Sequence, residues 1–238
     1  MSPAEGKQVR PGEVIQIVDG RVQVSGQSAV MSINALTKRV FDLNPDSEFY
    51  IEESSPLDWM YPHLEPHGLI MKLNRHSLAR VPIEVVARDH EIWSDQVKSV
   101  VGDWLNEDTP VAEVCDFIER VFVRKDLTGF KGDPAFIGNP HSCLAYSKLR
   151  SSIAGLYLWG ANHASEESER QRMKRASDFA SRQSLALCPY SPEAFRYCHQ
   201  LADDGRVDDA LKVARVAVHF PKTHDSATSL VNTLESRR

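Results

Sequence analysis

The apolar positions of this chain change their period along its length, and each change marks an element. From Glu13 to Val24 they alternate around a turn: V-I-Q-I-V, then Asp19-Gly20, then R-V-Q-V. Two short β-prone runs flanking Asp-Gly predict a hairpin. Ser25 and Ser28 then stand where a helix cap is wanted. Val30, Ile33, Leu36 or Thr37, and Val40 or Phe41 follow at three- and four-residue steps, the spacing of an amphipathic helix. Asn44-Pro45 ends it, because the residue before proline is pushed out of the helical region. Glu48 to Glu53 (E-F-Y-I-E-E) and Leu69 to Leu73 (L-I-M-K-L) read as strands, with a proline-rich structured loop, Ser54 to Gly68, between them. Residues 1–12 are expected to be a flexible tail, and residues 13–80 a small α/β unit.

From Val81 the texture becomes helical. Pro82 suits a first turn. Ile83, Val86, His90, Trp93, Val97, Val100 or Val101, and Trp104 step by three and four. Thr109-Pro110 reads as a cap followed by proline at the first helical position, with a stripe of Val111, Val114, Phe117 or Ile118, and Val121 or Phe122 after it. Leu127 to Pro140 is rich in glycine and proline and reads as a long loop. Leu144 or Ala145, Leu149, Ile153 and Leu156 predict a further helix that ends near Gly160, closing a helical connecting region over residues 81–160.

Residues 165–238 carry a repeat pattern. Ala194, Tyr197, Cys198 and Leu201 line one predicted helix; Gly205 makes a turn; Ala210, Ala214 and Ala217 line a second helix, which Pro221 stops early. Small residues at these steps let two helices approach closely, with Tyr197 filling the layer across from Ala214. The pattern is that of a tetratricopeptide-type helical array. The helix ending at Leu187 reads as the second half of a preceding repeat, and Asp225 to Leu234 as the first helix of a following one. The fold class is therefore expected to be α+β, mostly α: a small N-terminal α/β unit, then helices, then a tetratricopeptide-like array.

Composition narrows the function. The net charge of −5 argues against a nucleic-acid partner, which needs a basic face. Leu149 to Ala164, the longest nearly uncharged stretch, contains Arg150, Gly155 and Gly160 and is too short to span a bilayer. Met1 to Arg10 has no apolar signal-peptide core. The chain is thus expected in the cytoplasm by default, reaching a membrane only through a partner or an upstream segment. Cys115, Cys143, Cys188 and Cys198 have no C-x-x-C or zinc spacing and read as buried free thiols.

The densest polar cluster is Glu52, Glu53, Asp58, His63, Glu65 and His67. Paired carboxylates and histidines suit metal binding or acid–base work. But neighbouring strand residues point to opposite faces, and Pro66 separates the histidines. The cluster is read as structural, with Glu52, Glu53, Asp58, Trp59, His63 and His67 as candidate binding residues and none as catalytic. Trp59, Met60 and Tyr61 read as a plug that packs the loop. Asp126 to Asp133 (D-L-T-G-F-K-G-D) lacks the G-x-x-x-x-G-K order of a phosphate loop. No cofactor or metal is expected.

Long strings in the chain carry a family resemblance: Phe49 to Arg75, Arg88 to Trp93, Val123 to Asp133, Ser147 to Tyr157 and Ala186 to Ala194. They resemble the soluble carboxy-terminal region of large bacterial multi-pass membrane proteins of the protein O-mannosyltransferase-like kind, over nearly all of residues 13–238. The family's membrane helices, and the sugar-transfer site they are presumed to hold, have no counterpart in these residues. The resemblance therefore implies a tail alone, without catalytic residues. The expectation is a non-catalytic protein-interaction or scaffold module of a membrane glycosyltransferase-like system. It would bind a protein partner through its helical repeat. The alternative is an accessory domain that contacts a glycan or lipid-linked sugar through the 52–67 loop.

Overall fold

The computed structural model describes residues 13–18, 21–52 and 56–236, and over 13–18, 21–32, 193 and 194 the description is of the backbone. The expected tail, the Asp19-Gly20 turn and Glu53 lie outside the described residues, as does the side chain of Ala194. Strands β1 (Glu13–Val18) and β2 (Arg21–Gly26) pair antiparallel, with Val18 opposite Arg21, and β2 leads directly into helix α1 (Gln27–Leu43). Neither serine caps that helix as expected: Ser25 belongs to β2 and Ser28 lies inside α1.

Strands β3 (Phe49–Ile51), β4 (Leu64–His67) and β5 (Ile70–Leu73) form an antiparallel sheet in the order β3-β5-β4. β4 corrects the reading of 54–68 as loop throughout. It accommodates Pro66 because an edge strand can hold a residue without an N–H. Arg75 ties α1 to this sheet. Its guanidinium donates to Phe41 O at 2.6 Å, to Ser47 O at 2.7 Å and to Asn44 O, and lies 4.3 Å from the Phe41 ring and 5.0 Å from the Phe49 ring. A cation at a helix C-terminus meets carbonyls that have no helical partner. Phe41 is the one buried side chain among the described side chains of α1. The expected apolar stripe of α1 is present but faces solvent: Ile33, Leu36, Val40 and Leu43 are exposed.

The helical body comprises α2 (Ile83–Val101), α3 (Val111–Ile118), α4 (Pro134–Ile137), α5 (Pro140–His163), α6 (Glu167–Leu187), α7 (Pro192–Asp203), α8 (Val207–Ala217) and α9 (His224–Glu235). α3 continues into a π-helical turn over Glu119–Val123. Thr109 does not cap α3. Its Oγ1 donates to Trp104 O at 3.1 Å and accepts from Asn106 N at 2.9 Å, closing the loop before the helix. The expected 127–140 loop contains α4, capped by Asp133 accepting from Ala135 N at 2.8 Å. Asn139 caps α5, accepting from His141 N at 3.1 Å and Ser142 N at 3.2 Å. Gly132 has no room for a side chain, since a Cβ there would lie 2.4 Å from Val100 O.

α5 and α6 form the closest pair. Ser177 Oγ donates to Ala154 O at 3.0 Å and Ser184 Oγ to Ser147 O at 2.9 Å, contacts open only to small residues. A polar network crosses the core beside them. Arg150 donates from Nη1 to Asp89 Oδ2 on α2 at 2.8 Å and from Nε to Gln183 Oε1 on α6 at 2.7 Å. The Tyr157 hydroxyl donates to the same Asp89 oxygen at 2.7 Å. Burial, and then the Asp89 charge, push the Tyr157 phenol well up.

α7 and α8 form a hairpin closed at Gly205, whose φ of 77° suits glycine. Arg206 N bonds Leu201 O at 2.8 Å and Gly205 N bonds Ala202 O at 3.1 Å, completing a Schellman turn. Ala210, Ala214 and Ala217 are buried, as expected. Cys198 faces α8, with its Sγ 3.0 Å from Ala210 O. Tyr197 turns the other way and donates to Asp178 on α6 at 2.7 Å, which corrects the expected Tyr197–Ala214 layer. α8 ends at Ala217, short of Pro221, and Thr223 Oγ1 closes the turn on Ala217 O at 2.7 Å. All four cysteines are free and buried. Among the described residues no helix is long and apolar enough to cross a membrane.

Candidate functional site

The residues singled out in the 52–67 region do not converge. Glu52 is exposed just past β3, and Asp58 is exposed ahead of a short 3-10 turn over Tyr61–His63. Trp59 and His63 do come together, but on Phe41, with ring centroids 5.4 and 5.8 Å away. His63 Nδ1 lies 2.9 Å from Asn74 O. These two side chains hold α1 and the loop in place. His67 is at the far end of β4, exposed, its ring 5.2 Å from Tyr50. Glu65 stands in register with Lys72. Among the described residues no group of three His, Cys, Asp or Glu side chains is placed to hold a metal ion. Burial pushes the Cys115, Cys188 and Cys198 thiols up from 9.0 to about 12, the opposite of what a nucleophilic thiolate requires.

A concavity lies elsewhere. It is a groove of about 460 Å³ with α5 and α7 as its walls, α6 beneath and Tyr61 at one end. Two glycines of α5 behave differently. At Gly160 a Cβ would sit 3.2 Å from Met173 Sδ, so that glycine serves helix packing; at Gly155 a Cβ would meet nothing within 4 Å. Gly155 therefore leaves open a stretch of groove wall where a larger residue would take up space. A mid-helix glycine costs about 1 kcal/mol against alanine, and no packing contact at Gly155 offsets it.

Tyr61 is fixed by stacking. Its ring lies 5.6 Å from Trp159 at 17°, and Trp159 lies 4.2 Å from His163 at 20°. Burial pushes the Tyr61 phenol up, while the Arg196 charge on α7 pulls it back. Arg196 is exposed and has no ion-pair partner among the described residues. Lys174 on the floor is paired with Asp204 at 3.0 Å. The groove thus offers one unpaired guanidinium, a held phenol and His199 on rigid helices. That is a set for orienting a polar ligand. Sequence reasoning missed it because Tyr61, Gly155 and Arg196 are far apart in the chain. The available signal was a glycine inside a predicted helix with no turn to explain it.

Comparison of the chain with family models, with curated proteins and with solved structures finds no match.

Proposed function

We propose that this chain is a non-catalytic interaction module that holds a segment of a protein partner in the groove between α5 and α7. The carrying observation is the α5 wall left open at Gly155 in the groove that Arg196 also lines. The α7–α8 hairpin supports a tetratricopeptide-type reading through its alanine spacing and its Gly205 turn. In that register α6 is the second helix of a preceding repeat and α9 the first of a following one. α5 and α7 are then equivalent helices lining one side of the array, the side on which the groove opens. Arg196 favours a segment with an acidic side chain. The resemblance to the tail of glycosyltransferase-like membrane proteins supplies a candidate partner, the membrane part itself. No observation gathers the 52–67 residues into a sugar site, so the glycan-contacting alternative is not carried further.

Peptides selected on the full chain from a displayed library test this reading. Gly155→Leu and Arg196→Glu are each expected to weaken the selected peptides at least about tenfold, the loss of one well-placed contact. Gly155→Ala should keep the fold. Peptides that bind Gly155→Leu as tightly as the natural chain would place the interaction elsewhere and sink the reading. In the same reading sugar transfer belongs to the partner. The chain given a lipid-phosphate sugar donor and a peptide acceptor should turn over no faster than a protein-free control.

A further inference from the structure

The walls of the groove between α5 and α7 stand in a fixed register. Ser147 and Ala154 on α5 meet Ser184 and Ser177 on α6, and Tyr197 on α7 and Asp204 just past it meet Asp178 and Lys174 on α6. α6 is therefore antiparallel to both walls, and α5 and α7 run parallel. Ser177 Oγ, which donates to Ala154 O, also accepts from Gln200 Nε2 at 3.4 Å. One side chain thus spans the bottom of the groove and sets Gln200 level with Ala154. Arg196 lies about one turn before that level and Asp203 about one turn after it, so the wall left open at Gly155 falls between them.

Arg196 and Asp203 are seven residues apart, which puts them on one face of α7, about 10 Å apart along its axis. Both line the groove, both are exposed, and neither has a hydrogen-bond or ion-pair partner among the described residues. Lys174 and Asp204, which also line it, neutralise each other at 3.0 Å. The two open charges are of opposite sign, so a simple anion or cation is attracted at one end and repelled at the other. A ligand that carries both signs meets both. The spacing selects its form. In a polyproline-II chain residues i and i+3 lie on the same side, about 9 Å apart, whereas in a β-strand they lie on opposite faces. A bottom closed by one serine side chain suits that narrow chain better than a helix about 10 Å across. We propose that the groove reads an extended partner segment through a pair of charges, an acidic side chain against Arg196 and a basic one three residues away against Asp203. The proposal rests on the groove being the binding site.

Peptides selected on the full chain from a displayed random library, then titrated as synthetic peptides by fluorescence polarisation, test it. They are expected to carry an acid and a base three residues apart. Asp203→Lys in the protein, or glutamate in place of the base in the peptide, should each weaken binding at least about tenfold. The two changes together should restore it, because the second acid then meets the new lysine. Asp203 is exposed, so Asp203→Lys should keep the circular dichroism and Tm of the natural chain. Peptides that lose affinity on Gly155→Leu but bind Asp203→Lys unchanged, or a paired change that restores nothing, would overturn the charge pair and leave the groove reading standing. Peptides that bind Gly155→Leu unchanged would overturn both.

Discussion

Asp89 and Arg150 lie inside the helical body at 3% and 0% exposure, while Leu36 and Leu43 lie outside on α1 at 63% and 68%. Each region inverts the usual placement, and the inversions are not alike. In the body every buried charge has been given a partner: Arg150 meets Asp89 and Gln183, and Tyr157 shares the Asp89 oxygen. The pairing is not exhaustive, since Asp89 Oδ1, Arg150 Nη2 and Gln183 Nε2 are buried without a hydrogen-bond partner. On α1 four large apolar side chains are exposed, and Phe41 and Arg75 hold the C-terminal end of the helix. The body turns its charges inward and pairs them, whereas α1 turns four apolar side chains outward.

Alkali should break the body most steeply. Cys115, Cys188 and Cys198 have folded values raised from 9.0 to about 12 by burial. Above pH 9 the unfolded thiols lose protons that the folded ones keep, so the unfolded state binds fewer protons and stability falls with pH. This contribution is fully present below pH 9 and disappears as pH rises toward 12. Urea midpoints should be flat on this account from neutrality to pH 9 and drop beyond it. Substituting the three cysteines with alanine or valine should flatten the drop.

Next in size is Arg150→Ala, which leaves Asp89 as a buried carboxylate without its cation. Such a change costs about 3–5 kcal/mol, whereas replacing both partners by apolar residues restores most of the loss. Urea unfolding of Arg150→Ala and of Asp89→Leu with Arg150→Met reads both. A single variant close to the natural chain would mean that the pair is hydrated and the contrast with α1 is overstated. Ala214→Leu should cost about 1–3 kcal/mol by overfilling the α7–α8 contact. Lys212→Ala, at an exposed site with a 3.7 Å contact to Asp209, should stay within about 0.5 kcal/mol. Hydrogen exchange over residues 191–234 separates the two. The smallest effect belongs to Leu36→Gln, which on monomeric chain should change stability by less than about 0.5 kcal/mol. A larger loss would show that the α1 stripe packs within its own chain.

The helices were legible because their apolar positions keep a helical step: Val86, Trp93 and Val97 on α2, and Val111, Val114 and Ile118 on α3, are buried where the period places them. Where local chemistry pointed two ways, the reading failed. Pro66 suggested loop because proline lacks a donor, yet the edge of a sheet leaves that donor unused. Thr109-Pro110 has the composition of a helix start, but the threonine serves the preceding turn. α1 shows a deeper limit, since periodicity reports that a face is apolar and not what covers it. The candidate groove was less legible still. Tyr61, Gly155 and Arg196 meet through the packing of α5, α6 and α7, and none has a local signature. Arg150 is likewise an ordinary arginine in a helix until Asp89 is seen beside it.

Pro66 has one more effect, on how the protein behaves when crowded. A sheet grows by adding a strand to an edge that offers free backbone donors and acceptors. At one edge of this sheet β3 is only three residues long, and at the other β4 carries a proline that has no amide to offer. Neither edge can template cross-β growth. Growth by strand addition at this three-stranded sheet is therefore blocked on both sides, and the edges left to it are those of the β1–β2 hairpin. Protein without residues 1–26, which removes that hairpin, is expected to leave thioflavin dark when concentrated.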